Sequence, residues 1–185
     1  YYVDSNNGWA ISSPPYTIYK TTNGGANWTP IATDNTPGIA NKIIFTDLNN
    51  GWIVGENGKI LKTTNGGVNW ASKMGDFPNM PVRWALFNPN HPTTEVILAT
   101  ELGIYGTANF DNNSPNWTAK NTGFANVRTD MLQMRSSDYM VIAATHGRGL
   151  FSSMGFSEAG IGILEIFGSV FSFLFFTIMS PPPDQ

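Results

Sequence analysis

Along the first 153 positions, short apolar or alternating runs are divided by polar turns at close intervals. Residues 42–46, 51–55, 59–63 and those after Trp70 are such runs, and Asn-Asn-Gly, Glu-Asn-Gly and Asn-Gly-Gly stand between them. Brief runs of this kind with frequent turns predict strands rather than helices. Asn-Gly between two of them predicts a hairpin, because a type I′ turn needs φ > 0 at both central residues.

The pattern repeats. Residues 19–28, Tyr-Lys-Thr-Thr-Asn-Gly-Gly-Ala-Asn-Trp, match residues 61–70 at eight of ten positions, 42 residues further on. Upstream, Asp4-Ser-Asn-Asn-Gly-Trp9 matches Asp47-Leu-Asn-Asn-Gly-Trp52 at an offset of 43. A worn third copy keeps the order of apolar run 96–100, second run 103–105 and terminal Asn116-Trp117, and a fourth, partial copy covers 140–145 and 149–151. Four short antiparallel strands in 42–47 residues is the size of one propeller blade. The expected architecture is all-β, a partial β-propeller of about three to four four-stranded blades over residues 1–153, with a β-solenoid as the alternative. That is fewer blades than most rings hold, and the chain starts at Tyr1 without an initiator Met, so a fragment or a processed product is expected.

Composition sharpens this picture. Charged residues make up 12% of the chain against about 25% in ordinary soluble domains, and 20 Asn accompany 19 Gly. Helical bundles, coiled coils and disordered tails need more Glu, Lys, Ala or Leu. Ten Lys and Arg, scattered singly in a chain of net charge −3, argue against a nucleic-acid partner. The absence of Cys removes disulfides, thiol catalysis and Cys-type zinc sites.

The repeated block has a structural reading. An Asn side chain and a Thr hydroxyl can hydrogen-bond the backbone of a tight loop, Gly supplies φ > 0, and Trp buries an apolar face. Thr21-x-Asn23-x-Gly25-x-Asn27-Trp28 and Thr63-x-Asn65-x-Gly67-x-Asn69-Trp70 resemble the Asp-box of sialidase-type (BNR) repeats, with Asn where Asp is usual. The resemblance implies a rim turn away from the ligand face. Residues 45–70 look like the repeat of photosystem II assembly factor-type (Ycf48-like) propellers, which share this repeat grammar with sortilin/Vps10-type and xyloglucanase-type propellers. Residues 141–151 resemble the closing strands of the last blade in secreted bacterial proteins of the same superfamily. The resemblance covers residues 1–153 and implies the fold; its members include enzymes, receptors and assembly factors alike.

No catalytic set stands out. A sialidase needs an arginine cluster, and Arg83, Arg128, Arg135 and Arg148 sit in no matching context. A xyloglucanase-type enzyme needs two carboxylates facing each other across a cleft. Asp4, Asp47 and Glu56 precede turns, and Asp76, Glu95, Glu101 and Asp130 read as solvated loop charges. His146 and Arg148, in Thr-His-Gly-Arg-Gly, either cap strand ends around a tight turn or put Arg148 on the ligand face. His91 sits in a loop with no ligand spacing to His146, and the Asn-Asp-rich loop at 111–115 is no complete Ca²⁺ loop. No metal or cofactor is expected.

Residues 154–185 change character. The run 161–179, from Ile161 to Met179, has Glu165 as its only charge and ends at three prolines, long enough to span a bilayer. It reads equally as a membrane anchor, as a packed element over an open edge, or as non-native sequence. The functional expectation is a non-enzymatic scaffold or binding module of an exported bacterial protein, periplasmic, extracellular or surface-located, that docks protein or carbohydrate on the propeller face. The alternatives are a glycoside hydrolase fragment and a Ycf48-like photosystem assembly factor.

Overall fold

The computed structural model describes residues 1–153, apart from 15, 37, 124 and 125, together with residue 156. The expected segment 161–179 therefore lies outside the described residues. Fourteen strands and no helix are found among those described, in four antiparallel meanders. Blade 1 is β1 (Gly8–Ile11), β2 (Tyr16–Thr21) and β3 (Thr29–Asp34). Blade 2 is β4 (Ala40–Phe45), β5 (Gly51–Gly55), β6 (Ile60–Thr63) and β7 (Ala71–Ser72). Blade 3 is β8 (Val82–Phe87), β9 (Val96–Thr100), β10 (Gly103–Thr107) and β11 (Thr118–Ala119). Blade 4 is β12 (Thr129–Met134), β13 (Val141–Thr145) and β14 (Gly149–Ser153).

This is a partial β-propeller. The first strands β4, β8 and β12 pack side by side on the inner side of the arc. Two sheets have the expected four strands and two have three. The register explains blade 1: Tyr2 bridges Gly8 as Phe45 pairs with Gly51, so β1 is a second strand like β5. Tyr1 and Tyr2 hold the place of the last two residues of an inner strand.

Each core straddles a blade boundary. Trp9 and Ile18 of blade 1 meet Ile43, Phe45, Ile53 and Leu61 of blade 2. Trp52, Val54 and Ile60 of blade 2 meet Val82, Phe87 and Leu98 of blade 3. Ile97, Ala99 and Ile104 of blade 3 meet Leu132, Val141 and Ala143 of blade 4. Alternate residues of β5 and β9 thus point into different cores, so both strands are buried throughout and read as unbroken apolar runs.

The turns obey two rules rather than one. Asn57 and Gly58 both have positive φ, at 56° and 67°, and the Lys59 N–H donates to Glu56 O at 3.0 Å, the expected type I′ geometry. The Asn-Asn-Gly turns differ from expectation. There Asp47 Oδ1 accepts the N–H groups of Asn49 and Asn50 at 2.7 and 2.8 Å, and Asp4 Oδ1 accepts those of Asn6 and Asn7 at 2.8 Å. A carboxylate closes these turns where positive φ was expected.

One ion pair locks blades 1 and 2. Lys59 Nζ lies 2.6 Å from Asp34 Oδ2, with both side chains 1% exposed, and donates also to Thr36 O at 3.2 Å. Burial alone raises the Asp34 pKa, but hydrogen bonds from Lys59 and Thr36 outweigh it and hold the carboxyl below its ordinary value. The pair's stabilisation is therefore full above the ordinary carboxyl range and is lost as pH falls through the lower folded-state value. Lys59→Met, which strands a buried carboxylate, is expected to cost about 3–5 kcal/mol in urea unfolding at pH 7. The double replacement Asp34→Leu/Lys59→Met is expected to recover most of that loss; a single variant as stable as the parent would contradict the assignment.

Candidate functional site

The two ends of the blades carry different chemistry. At one end stand the Asn-Gly-Gly turns, between third and fourth strands. Thr63 Oγ1 donates to Asn65 Oδ1 at 2.9 Å and accepts the N–H groups of Gly67 at 3.0 Å and Asn65 at 3.3 Å. Asn65 Oδ1 also accepts the Asn69 N–H at 2.9 Å. Thr21, Asn23, Gly25 and Asn27 repeat these bonds at the same distances. The worn blade 3 keeps three of them, through Thr107, Asn109 and Asn116. Gly67, at φ 94°, is wedged between blades: a Cβ there would lie 3.0 Å from Ile31 Cδ1 and 3.5 Å from Trp9 Nε1. Thr and Asn side chains at this end are thus turned inward on their own backbone.

The Trp residues closing these turns diverge from the expectation of burial. Trp117 is buried and Trp70 half-buried, but Trp28 is 37% exposed and, among the described residues, meets one aromatic ring, edge-on to Tyr2 at 6.1 Å. Trp70 makes the same edge contact with Phe45 at 6.1 Å, yet Phe45 is covered on its far side by Trp9. Among the described residues no ring covers Tyr2 in that way.

The opposite end is built around β-bulges. In β4, β8 and β12 the register slips by one residue at the same place, leaving Asn41, Arg83 and Asp130 as the extra residues. A bulge re-aims the side chain it carries. The next strand in each blade ends opposite the bulge, and the residue after it is Glu56, Glu101 or His146. Asn41 Nδ2 donates to Glu56 Oε1 at 3.3 Å and, across the blade boundary, to Val82 O at 2.9 Å. Arg83 donates to Glu101 Oε2 from Nη2 at 2.6 Å and Nε at 3.1 Å, and its Nε lies 3.8 Å from Asp130 of the next blade. Asp130 also takes Arg128 Nε at 2.6 Å and faces His146 Nδ1 at 3.6 Å. A continuous polar belt results, in which blade 4 inverts the charge order of blade 3.

Arg148 stands beside this belt. Gly147 and Gly149 flank it at φ 83° and 82°, a conformation only Gly adopts cheaply, and lift the loop into open space. The guanidinium is exposed and has no ion-pair partner among the described residues. On the inner side of the arc, a cavity of about 350 Å³ is lined by Tyr1, Lys42, Ile44, Trp84, Leu86 and Gln133, among others. Lys42 Nζ lies 3.6 Å from the Trp84 ring centroid, and burial holds its pKa below the ordinary value.

The acids expected to be solvated loop charges are instead engaged. Asp76 Oδ1 accepts the Trp117 N–H at 2.6 Å, Glu95 Oε2 accepts Asn88 Nδ2 at 2.7 Å, and Glu101 and Asp130 belong to the arginine belt. Sequence reasoning singled out His146 and Arg148 but missed that Asn41, Arg83, Arg128 and Asp130 form one belt with His146. The available signal was positional: Asn41, Arg83 and Asp130 recur at the blade spacing, 42 and 47 residues apart. Among the described residues, no three His, Cys, Asp or Glu gather to hold a metal.

Comparison with known proteins bears on this geometry. The family model described as photosynthesis system II assembly factor YCF48 matches residues 1–156. The chain is similar to a solved structure of YCF48 bound to D1 peptide, at 26% identity and a TM-score of 0.59, covering 82% of this chain and 49% of that one. It shares the fold of a Niastella koreensis GH74 enzyme, at 13% identity, a TM-score of 0.67, and 80% and 27% coverage. It also shares that of the Xanthomonas campestris GH74 xyloglucanase, at 10% identity, a TM-score of 0.59, and 80% and 26% coverage. The chain thus spans about half the length of the YCF48 structure and about a quarter of the GH74 chains. No curated protein matches it in sequence. For the Asn-rich end, Thr63→Val leaves the Gly67 N–H buried without its acceptor, and a loss of about 1–3 kcal/mol in thermal or urea unfolding is expected. An unchanged midpoint would show that the hydroxyl does not hold the turn.

Proposed function

The chain belongs to the photosynthesis system II assembly factor YCF48 family, and on that premise we propose that it is a non-enzymatic module that docks a protein segment on the bulge end of its blades. The observation that carries this reading is a contrast within the chain itself. At the Asn-rich end two blades repeat the same residues in the same four hydrogen bonds, and a third keeps three of them. At the bulge end the backbone repeats, while the side chains it presents are Asn41, Arg83 and Asp130, then Glu56, Glu101 and His146. Positions that serve only the fold have no reason to diversify in this way.

The chemistry suits an extended peptide bearing a carboxylate. Arg148 is an exposed cation between two glycines, and Arg128 and Arg83 converge on Asp130, which faces His146 of the same loop, at the boundary of blades 3 and 4. Guanidinium groups donate charge-assisted bonds to carboxylates in a fixed fork. The YCF48 relative is a complex with a D1 peptide, which supports a peptide as the ligand class here. Glycoside hydrolysis finds less support. Glu101 and Asp130 are each engaged with arginine, whereas a glycosidase of this kind needs two carboxylates facing a substrate across a cleft. The same reading places the module outside the cytoplasm. It treats most of residues 154–185 as a unit apart from the blades, since the family match ends at 156, where Phe156 still packs in the core of blades 3 and 4, and the apolar run begins only at 161.

The test is fluorescence anisotropy with a labelled D1 peptide. Binding that weakens about tenfold or more in Arg148→Ala, and falls steeply between low and physiological salt, is the expected outcome. Binding that is unaffected by Arg148→Ala and Arg83→Ala together, yet abolished by Thr63→Val, would move the site to the other end and overturn the reading.

A further inference from the structure

A second concentration of charge lies between the two four-stranded sheets, blades 2 and 3. There Lys62, Asn65, Asn69, Trp70, Lys73 and Asp111, among others, border a cavity of about 310 Å³. Lys73 is 7% exposed and donates to two backbone carbonyls of blade 3, Asp111 O at 3.1 Å and Asn112 O at 2.6 Å. Among the described residues its third N–H has no acceptor. The Lys62 ammonium has neither a hydrogen bond nor an ion pair among them, and stands 5.8 and 5.6 Å from the ring centroids of Trp52 and Phe110. The Asp111 carboxylate borders the same cavity but is ion-paired to neither lysine.

The boundary of blades 1 and 2 shows what the fold itself requires. Lys20, 42 residues before Lys62, covers the Trp9 ring at 4.9 Å, so one lysine over a tryptophan belongs to the common plan. The second lysine does not. Ile31 stands 42 residues before Lys73, and Gly67 follows Asn65 by two residues as Asp111 follows Asn109. Ile31 packs toward Gly67 of the next blade, where a Cβ would lie 3.0 Å from its Cδ1. An apolar side chain therefore joins two blades at this place without any charge, and Lys73 with Asp111 is a departure from it.

We infer that this cavity binds a tetrahedral oxyanion, phosphate or sulfate, between the Lys62 and Lys73 ammonium groups. Two ammonium groups on one cavity repel each other, and an oxyanion between them replaces that repulsion with charge-assisted hydrogen bonds. Burial and then Lys73 hold the Lys62 pKa below its ordinary value, against an opposing pull from Asp111. The turn beside the cavity uses Asn65 Oδ1 and the Asn69 backbone N–H, and neither side-chain NH₂ group takes part in it. Those amides supply further donors at the border. The site is separate from the bulge end and stands whether or not a peptide docks there.

The experiment is a pair of heteronuclear NMR titrations of the full 185-residue chain, with sodium sulfate and with sodium phosphate, at ionic strength held constant by sodium chloride. The expected result is saturable amide shifts centred on residues 62–73 and 109–112, with a dissociation constant of about 1 mM or tighter for at least one anion. The tighter of the two identifies the group. Lys62→Gln is expected to weaken binding about fivefold or more, and Asp111→Asn to strengthen it by removing a negative charge from the border. Lys20→Gln, at the matching place between blades 1 and 2, is expected to leave binding unchanged. Shifts that grow without saturating, that arise equally around Lys20, or that persist undiminished in Lys62→Gln would each overturn the proposal.

Discussion

Two of the three blade boundaries in this arc depend on the stacking of a second-strand aromatic on the inner strand of the next blade, and the third puts Ile97 in the same place. Trp9 lies almost parallel to Phe45, and its Nε1 donates to Gly66 O in the following blade at 2.9 Å. Such pairs contribute about 0.5–1.5 kcal/mol beyond the area they bury. The boundary dictates the surrounding sequence. Strands between two boundaries must be apolar on both faces, which is why β5 and β9 are continuous hydrophobic runs and why so few charges remain. It also demands Gly67, since a side chain there would press on Ile31 and approach the Trp9 indole. In blade 3 Phe110 also packs against Trp52, whose buried Nε1 has no acceptor among the described residues.

The ends of the blades divide the remaining work. At the Asn-rich end, hydroxyls, amides and the carboxylates of Asp4 and Asp47 satisfy backbone N–H groups and hold the turns rigid. Their donors and acceptors are used internally, which leaves little to offer a partner. At the other end, the bulges push one side chain per blade out of the ladder and toward its neighbour. Asn41 bonds the carbonyl of Val82 across a boundary, and Arg83 reaches Asp130 across the next. Side chains that tie blades together there also form a charged surface, with Arg148 held clear of it by two glycines.

The fold was legible because a repeat amplifies weak signals. No single run such as 42–46 distinguishes a strand from a buried helix segment, but two copies of Thr-Thr-Asn-Gly-Gly at 42 residues define a unit and its length. The Asn57-Gly58 turn was legible for the same local reason, since positive φ at both positions leaves a residue signature. Three features were not. Closure of the Asn-Asn-Gly turns by aspartate looks the same in sequence as closure by positive φ. The exposure of Trp28 depends on what lies beyond Tyr2, and not on the residues around it. The polar belt joins side chains from different blades, and a one-residue register slip has no composition of its own. Arg83, Glu101 and Asp130 therefore looked like isolated charges until their strands were placed.

Functional surface at the bulge end, and structural turns at the Asn-rich end, is the claim on which the functional reading stands. Hydrogen–deuterium exchange with and without saturating D1 peptide tests it most directly, because exchange reports on both ends in one experiment. The expected result is slowed exchange at residues 128–131 and 145–149, with 21–28 and 63–70 unchanged. Slowed exchange confined to 21–28 and 63–70 would contradict it.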